Sequence, residues 1–549
     1  MAHAAIVRRP VRRFHSLMHA PPVAFQVLVA FIGVLTYATS MSVRAGDWVP
    51  SVAPTVPNQS TLIRSTSAPP MFTAGASGSL TFTDNVDLSP PGQEQSDFVL
   101  GVAIPLGLHI DGSRVKVAAQ YTPTFYVYAK NGDSDYLQNN LSSLLSVQAV
   151  ENYFFIDATA NIYQSFISPF AARPASGASI TSNRTPQTTL GLSPYIRHET
   201  GSGWTYMVRN DNYWNVYNTS GLDNSVTNSV SADLLSPYAP VRYGFDYSYV
   251  YTRYESGPTY YQQVARFRPI LSATPRLMLS ARLGYETNDY STPSYAGPVY
   301  GAGIHWTPSP QTKLDGFVEH RFFGPSFGLN LGHRTPLTIW RLNGTRSNYT
   351  GVDQPSTLRP ATSSEVLDDA LRARYPDPVE RQQAVEQYMR GAGLPPVLAE
   401  QYTFYTNQPY LAQQWTGSVA VLGATNLVEL TLIWQDNQLI TSNGSLVPSG
   451  GGSYGQLRQK GLTLTYSHRF SHVTTGTVAY TRLYSLGSDP LTTTIPAQNQ
   501  ATQNGIRLSL TRRLSLKTDG SIGVRWSDLD STTNPYRELA VFAILAHGF

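Results

Sequence analysis

The residues of this sequence able to do chemistry fall mostly on one parity of short alternating segments. In "KLDGFVEHRFF" (313–323), Lys313, Asp315, Glu319 and Arg321 alternate with Leu314, Val318 and Phe322. In 276–288, Arg282 and Glu286 oppose Leu277, Leu279, Ala281, Leu283 and Tyr285. In 242–252, Arg242, Asp246 and Ser248 oppose Tyr243, Phe245, Tyr247, Tyr249 and Tyr251, and in 517–527 Arg525 opposes Ile522, Val524 and Trp526. Arg209, Asp211, Arg266, Arg268 and Glu429 join the charged set by the same logic. Guanidinium forks recognise carboxylates in bidentate fashion, so a polar face of this kind suits a hydrated, anionic ligand. The same charges also satisfy one another across neighbouring strands, and for any single residue that alternative stays open. No HExxH or paired His–carboxylate spacing marks a catalytic constellation, and the GxSxG matches at 324–328 and 451–455 lack the strand–turn–helix context of a nucleophile elbow. "GLHIDG" (107–112) is a metal candidate at an expected turn, and "SGGGSYG" (449–455) lacks the strand–loop–helix context and the Lys of a phosphate-binding loop. The chain has no Cys, which removes disulfides, thiol chemistry and Cys-ligated metals. No catalytic residue, metal or cofactor is expected; an enzyme site of a few distant side chains in a wall is the alternative.

Period two is the strand period. From residue 71 onward the chain reads as about 22 such segments, of the length that crosses a bilayer when tilted. Charged residues are 13% of the chain, against ~25% in soluble domains, yet mean hydropathy is only −0.21. Beyond the first forty residues no apolar run approaches the ~20 residues of a membrane helix. Charge on a lipid face costs ~2–4 kcal/mol at mid-bilayer, so the charged parity must face a lumen. Connectors alternate along the chain. Short ones include 109–114, 150–153, 198–203, 272–277, 307–312, 333–336, 423–426 and 468–472; long ones include 84–96, 164–186, 217–227, 436–455 and 485–501. Transmembrane barrels show this asymmetry, and an even strand count places both termini on the short-turn, periplasmic side. The sequence therefore predicts an all-β, transmembrane antiparallel barrel of about 22 strands. The last strand, "YRELAVFAILAHGF", sets Leu539, Val541, Leu545 and Phe549 on one parity, as an outer-membrane sorting signal does; an edge strand of a soluble sandwich is the alternative. A net charge of +4, dispersed along the chain, gives no case for nucleic acid.

Two stretches break the pattern. Arg8, Arg9, Arg12 and Arg13 precede an apolar 23–38 and "VRA" at 43–45, which reads as a signal peptide over 1–45, or as an uncleaved inner-membrane anchor. Residues 46–70 are expected to be irregular. Residues 351–410 carry helix signals: Thr362 with Glu365, and Asp377, Pro378 and Glu380, form two capping boxes, and Gly391 ends the second helix. The expected organisation is strands one to fifteen over 71–350, a helical insert over 351–410, and strands sixteen to twenty-two over 411–549. The insert is expected to restrict the pore from the outer side, with a surface loop as the alternative.

Several stretches occur in a recognisable order: "LTFTDNVDLS" (80–89), "LSPYIRHE" (192–199), "LGYETNDY" (283–290), "GAGIHWTPSPQTKL" (301–314), "HRFFGPSFG" (320–328), "HRTPLTIW" (333–340) and "YPDPVERQQAVEQYMRGAGLP" in the insert. From residue 71 to the C-terminus the chain resembles the outer-membrane β-barrel family associated with PEP-CTERM/exosortase systems. That resemblance implies a barrel and an exopolysaccharide setting; a channel component for export or passage of the polymer is the expected role. Expected partners are outer-membrane lipid, the barrel assembly machinery, polysaccharide and periplasmic export proteins. A porin-like uptake channel for small solutes, and a non-conducting surface barrel that retains polymer or sorted proteins, are the alternatives.

Overall fold

A computed structural model describes residues 71–219, 222–290, 294–349, 409–440, 456–488, 498–532 and 534–549. The expected signal peptide, the 46–70 segment and all six helix-cap residues of the insert, Thr362 to Gly391, lie outside the described residues. The chain forms one sheet of antiparallel strands. The first eight are β1 (Met71–Thr83), β2 (Asp97–Ala103), β3 (Leu106–Asp111), β4 (Val115–Tyr128), β5 (Tyr136–Val150), β6 (Phe154–Phe166), β7 (Arg184–Glu199) and β8 (Thr205–Tyr217). Next come β9 (Ser225–Leu235), β10 (Val241–Tyr254), β11 (Thr259–Thr274), β12 (Leu277–Asn288), β13 (Tyr295–Ser309), β14 (Thr312–Arg321), β15 (Gly324–Arg334) and β16 (Thr338–Tyr349). After the insert follow β17 (Tyr410–Leu422), β18 (Asn426–Leu439), β19 (Gln456–Arg469), β20 (Thr474–Ser488), β21 (Gln498–Arg513), β22 (Thr518–Ser531) and β23 (Tyr536–Gly548).

β2 and β3 are halves of one span. Both pair with β1 on one side and β4 on the other, and the break falls at Ile104–Pro105, where proline has no N–H to give the ladder. β1 also pairs with β23, from Gly75↔Gly548 to Thr83↔Ala540. The sheet therefore closes into a 22-span barrel with no free edge. A two-sheet sandwich is excluded.

Alternation sorts the two faces. Leu283 is 51% exposed on the outside, whereas Arg282 and Glu286 on the same strand are 8% and 0% exposed on the inside. Tyr243, Phe245, Tyr247 and Tyr251 of β10, Val318 of β14 and Leu539, Val541 and Leu545 of β23 likewise cover the exterior. An apolar exterior around a polar interior inverts the order of a soluble protein and is the solution a bilayer imposes. The short turns, among them 112–114, 151–153, 275–276, 310–311, 335–337 and 423–425, lie at the end that also holds Met71 and Gly548. At the opposite end the connectors are not uniformly long, contrary to the expectation. Residues 255–258 and 322–323 are tight hairpins, the second closed by Gly324 at φ 88, a left-handed geometry that favours glycine. β14 and β15 therefore stop low and leave a notch in the far rim.

Candidate functional site: a charged lumen with a crossed mouth

The wall of β10–β14 carries an ion-pair ladder. Arg266 on β11 grips Glu319 on β14 with both forks, at 2.8 and 3.0 Å. Three strand spacings, about 14 Å, separate those strands. The reach is possible because the inner positions between them are Gly284 and Gly301. A Cβ at Gly301 would lie 2.2 Å from the Val318 carbonyl oxygen and 2.6 Å from Glu319 Cα. Arg282 adds a 3.3 Å bond to the same carboxylate and lies over the Phe317 ring. Arg321 donates to Glu286 at 2.7 and 3.0 Å, and the Phe322 backbone N–H donates to the other Glu286 oxygen at 2.6 Å. Arg268 pairs with Asp246 in bidentate fashion. Seven of the charged residues singled out from sequence thus meet in one place. They neutralise one another almost completely, as the cross-strand alternative held.

The remaining candidates are dispersed. Arg209 bridges Asp211 at 2.7 Å and Asp157 at 2.8 Å. Arg242 sits at a short turn and donates to the Ser236 carbonyl. Lys313 and Asp315 pair at 3.0 Å near the short-turn end, where His305 also meets Asp315. Glu429 is buried on β18 beside Thr431, in the field of Arg341. Among the described residues, no group of three metal-ligating side chains forms around His109 and Asp111 or elsewhere.

The far mouth is crossed by described chain. Residues 167–183, between β6 and β7, fold inward and dock on β21–β23, beyond the β1–β23 closure. Ser179 Oγ donates to Glu538 Oε1 at 2.8 Å, and Arg525 Nη2 donates to that carboxylate at 2.8 Å and to Ser179 Oγ at 3.1 Å. Thr83 Oγ1 donates to the same Glu538 oxygen at 3.0 Å. The carbonyl of Arg173 accepts from Tyr536 Oη at 3.0 Å and Gln503 Nε2 at 2.9 Å, and that of Phe170 from Ser531 Oγ at 2.8 Å. Phe170 and Ala172 then enter an apolar cluster with Leu88, Tyr349, Tyr410, Ala412, Leu457, Leu529 and Tyr536. That cluster joins the strap to the ends of β16 and β17. From there the closure continues: Asn348 Nδ2 donates to Gln262 Oε1 on β11 at 2.8 Å, and Ile440, just past β18, packs against Tyr254, Tyr260 and Tyr290. Contacts run unbroken from β23 and β1, through the strap and the tips of β16–β18, to β11. The connector 84–96 packs beneath, with the Ile180 backbone N–H donating to the Val86 carbonyl at 2.8 Å. In that connector, burial and the nearby charge of Asp97 raise the Asp87 carboxyl above its ordinary value.

Sequence reasoning assigned a restriction to 351–410, nearly all of which lies outside the described residues, and missed 167–183. Its only signal was length, since "SPFAARPASGAS" carries no periodicity that reveals an inward turn. Glu538 was missed as well, although it lies on the opposite parity from Leu539 and so had to face the lumen.

No protein-family model matches the sequence, and no curated relative matches it. Solved structures similar to it include the iron transporter FrpB of Neisseria meningitidis, with 9% identity over 87% of this chain and 81% of that one and a TM-score of 0.46. The siderophore receptor PirA of Pseudomonas aeruginosa matches with 10% identity over 89% and 81%, TM-score 0.38. A BenF-like porin of Pseudomonas fluorescens Pf-5 matches with 9% identity over 87% and 99%, TM-score 0.35. These likenesses are too distant to inform function.

Proposed function

We propose that the chain is an outer-membrane channel component for the passage of a hydrated polysaccharide, acting in the exopolysaccharide, PEP-CTERM/exosortase setting that the sequence resemblance implies. The observation that carries the channel reading is the crossed mouth. A 22-span barrel encloses a lumen wide enough to leak, and barrels of this size are plugged. Here a non-covalent strap folds over part of a polar lumen, so the barrier can yield. Paired Arg–carboxylate ladders keep the wall wet while leaving little net charge to trap a passing chain. A porin-like uptake channel for small solutes fits the same wall, and the narrowing at the mouth favours it as the second reading.

Conductance in planar bilayers tests the channel. The full chain is expected to conduct weakly. Replacing 171–178 with a short Gly/Ser stretch is expected to raise single-channel conductance several-fold while the barrel stays folded. Unchanged conductance in a folded barrel would remove the strap as the barrier. Permeation by polymer but not by small sugars, or the reverse, then separates the two cargo readings.

A further inference from the structure

The closure has two unlike ends. At β22–β23 it is held by a buried ion pair with its hydroxyl partners. At β11–β12 it meets the wall through amides that are left short of partners. Gln262 and Asn288 are direct cross-strand neighbours, and Asn348 reaches Gln262 from the tip of β16. Gln262 Oε1 is doubly used, accepting from Asn348 Nδ2 at 2.8 Å and Tyr290 Oη at 3.2 Å. Asn288 Oδ1 accepts from the Tyr290 backbone N–H at 3.3 Å. Among the described residues three atoms have no partner: the donors Gln262 Nε2 and Asn288 Nδ2 and the acceptor Asn348 Oδ1. Their residues are 8%, 0% and 8% exposed. Buried amide atoms without partners are costly, and several in one seam call for a missing group.

That group is defined by its surroundings. Two N–H donors and one carbonyl acceptor match a hydroxyl, which both accepts and donates. The rings of Tyr260, Tyr290 and Phe322 border the seam, with centroids 6.0 and 5.9 Å apart in sequence. Phe322 is fixed there by the Glu286–Arg321 pair of the short hairpin. Aromatic rings beside hydroxyl-binding amides suit a sugar ring, with carbon–hydrogen faces on the aromatics and a hydroxyl on the amides. No titratable side chain belongs to the amide set itself, so the site fits a neutral hexose unit.

We propose that Gln262, Asn288 and Asn348 form a saccharide subsite at the seam of the mouth, and that a sugar hydroxyl between them replaces the contact holding the tip of β16 to β11. The subsite rests on the saccharide-channel reading. It adds that cargo itself opens the mouth, at the amide side, with the ion-paired side as the hinge.

The full chain, folded in detergent, is titrated with maltohexaose as a neutral hexose probe, and binding is read by calorimetry. The wild type is expected to bind in the millimolar range or tighter. Asn288→Asp, which exchanges the free donor for an acceptor at nearly constant shape, is expected to bind about tenfold more weakly. Gln262→Glu serves as a second such variant should the first fail to show the heat-modifiable mobility of a folded barrel. Absence of binding to the wild type, or equal binding by the folded variants, overturns the subsite. Because binding is read without ion flow, a non-conducting barrel that still binds the probe through Asn288 would sink the channel reading and leave the subsite standing.

Discussion

Glu538 shows how much one side chain can hold. It is fully buried, accepts from Thr83, Ser179 and Arg525, and thereby joins the first strand, the last two strands and the inward strap. Its removal leaves Arg525 buried without a counter-charge, at a cost of ~3–5 kcal/mol. Ser179→Ala removes two hydrogen bonds to charged groups but leaves the ion pair in place, about 2 kcal/mol. Chemical denaturation of barrels in lipid vesicles is expected to rank Glu538→Ala well below Ser179→Ala, with the wild type highest; equal midpoints would mean that the pair does not support the fold. Asp87 acts in the opposite sense. Its carboxyl is raised, so the folded connector holds the proton more tightly than the unfolded chain does. Its stabilising contribution is complete below the ordinary carboxylate range and is lost as pH rises through the raised value. Asp87→Asn is therefore expected to slow amide exchange in 84–96 at neutral pH and to flatten its pH dependence. Faster exchange in the variant would contradict this. At this scale the sequence is uneven in what it reveals. Arg525 could be placed on the inner face because Val524 and Trp526 flank it, but nothing in the sequence announces that a serine hundreds of residues away completes its site.

The strands themselves were legible because lipid and water on opposite faces impose a strict alternation, and a slip of one residue would exchange every side chain. Cys at Leu279 or Leu283 should react with reagents dissolved in lipid, and Cys at Arg282 with small hydrophilic ones; reversed labelling would overturn the register. Connectors were less legible. The hairpin at 322–323 interrupts the expected long loops because Gly324 permits a two-residue turn. The inward path of 167–183 is set by partners on β21–β23, so no local pattern could encode it. The two inner glycines are intermediate. Gly284 and Gly301 are visible in the sequence, but their purpose emerges only once Arg266 is seen to pass over them to Glu319. Gly301→Val is expected to abolish the ladder and to reduce the heat-modifiable, folded fraction on gels. A fully folded variant would show that the wall can shift to admit the side chain.

For the molecule as a whole, closure depends on β23. Its terminal Phe549 lies exposed on the lipid side, and its backbone N–H donates to the Ala74 carbonyl at 2.9 Å. Deleting Phe549 is expected to lower the amount of barrel recovered in outer membranes without changing synthesis; normal recovery would count against a sorting role. The apolar exterior, the strand number and the polar interior were all within reach of the sequence, because each is a repeated demand of the bilayer. The crossed mouth was not, because it is made once, from contacts between distant parts of the chain.

The bond between Ser179 and Glu538 also has a bearing on time. The two residues lie 359 positions apart, and the Thr83–Glu538 bond beside it spans 455. The strap's landing place is assembled from both ends of the chain, so it exists only after the first and last strands have met. Until they meet the strap has nowhere to dock, so its obstruction of the mouth arrives late in folding. Protease accessibility of 167–183 should fall after the closing strands have become protected, with a lag between the two, and never before.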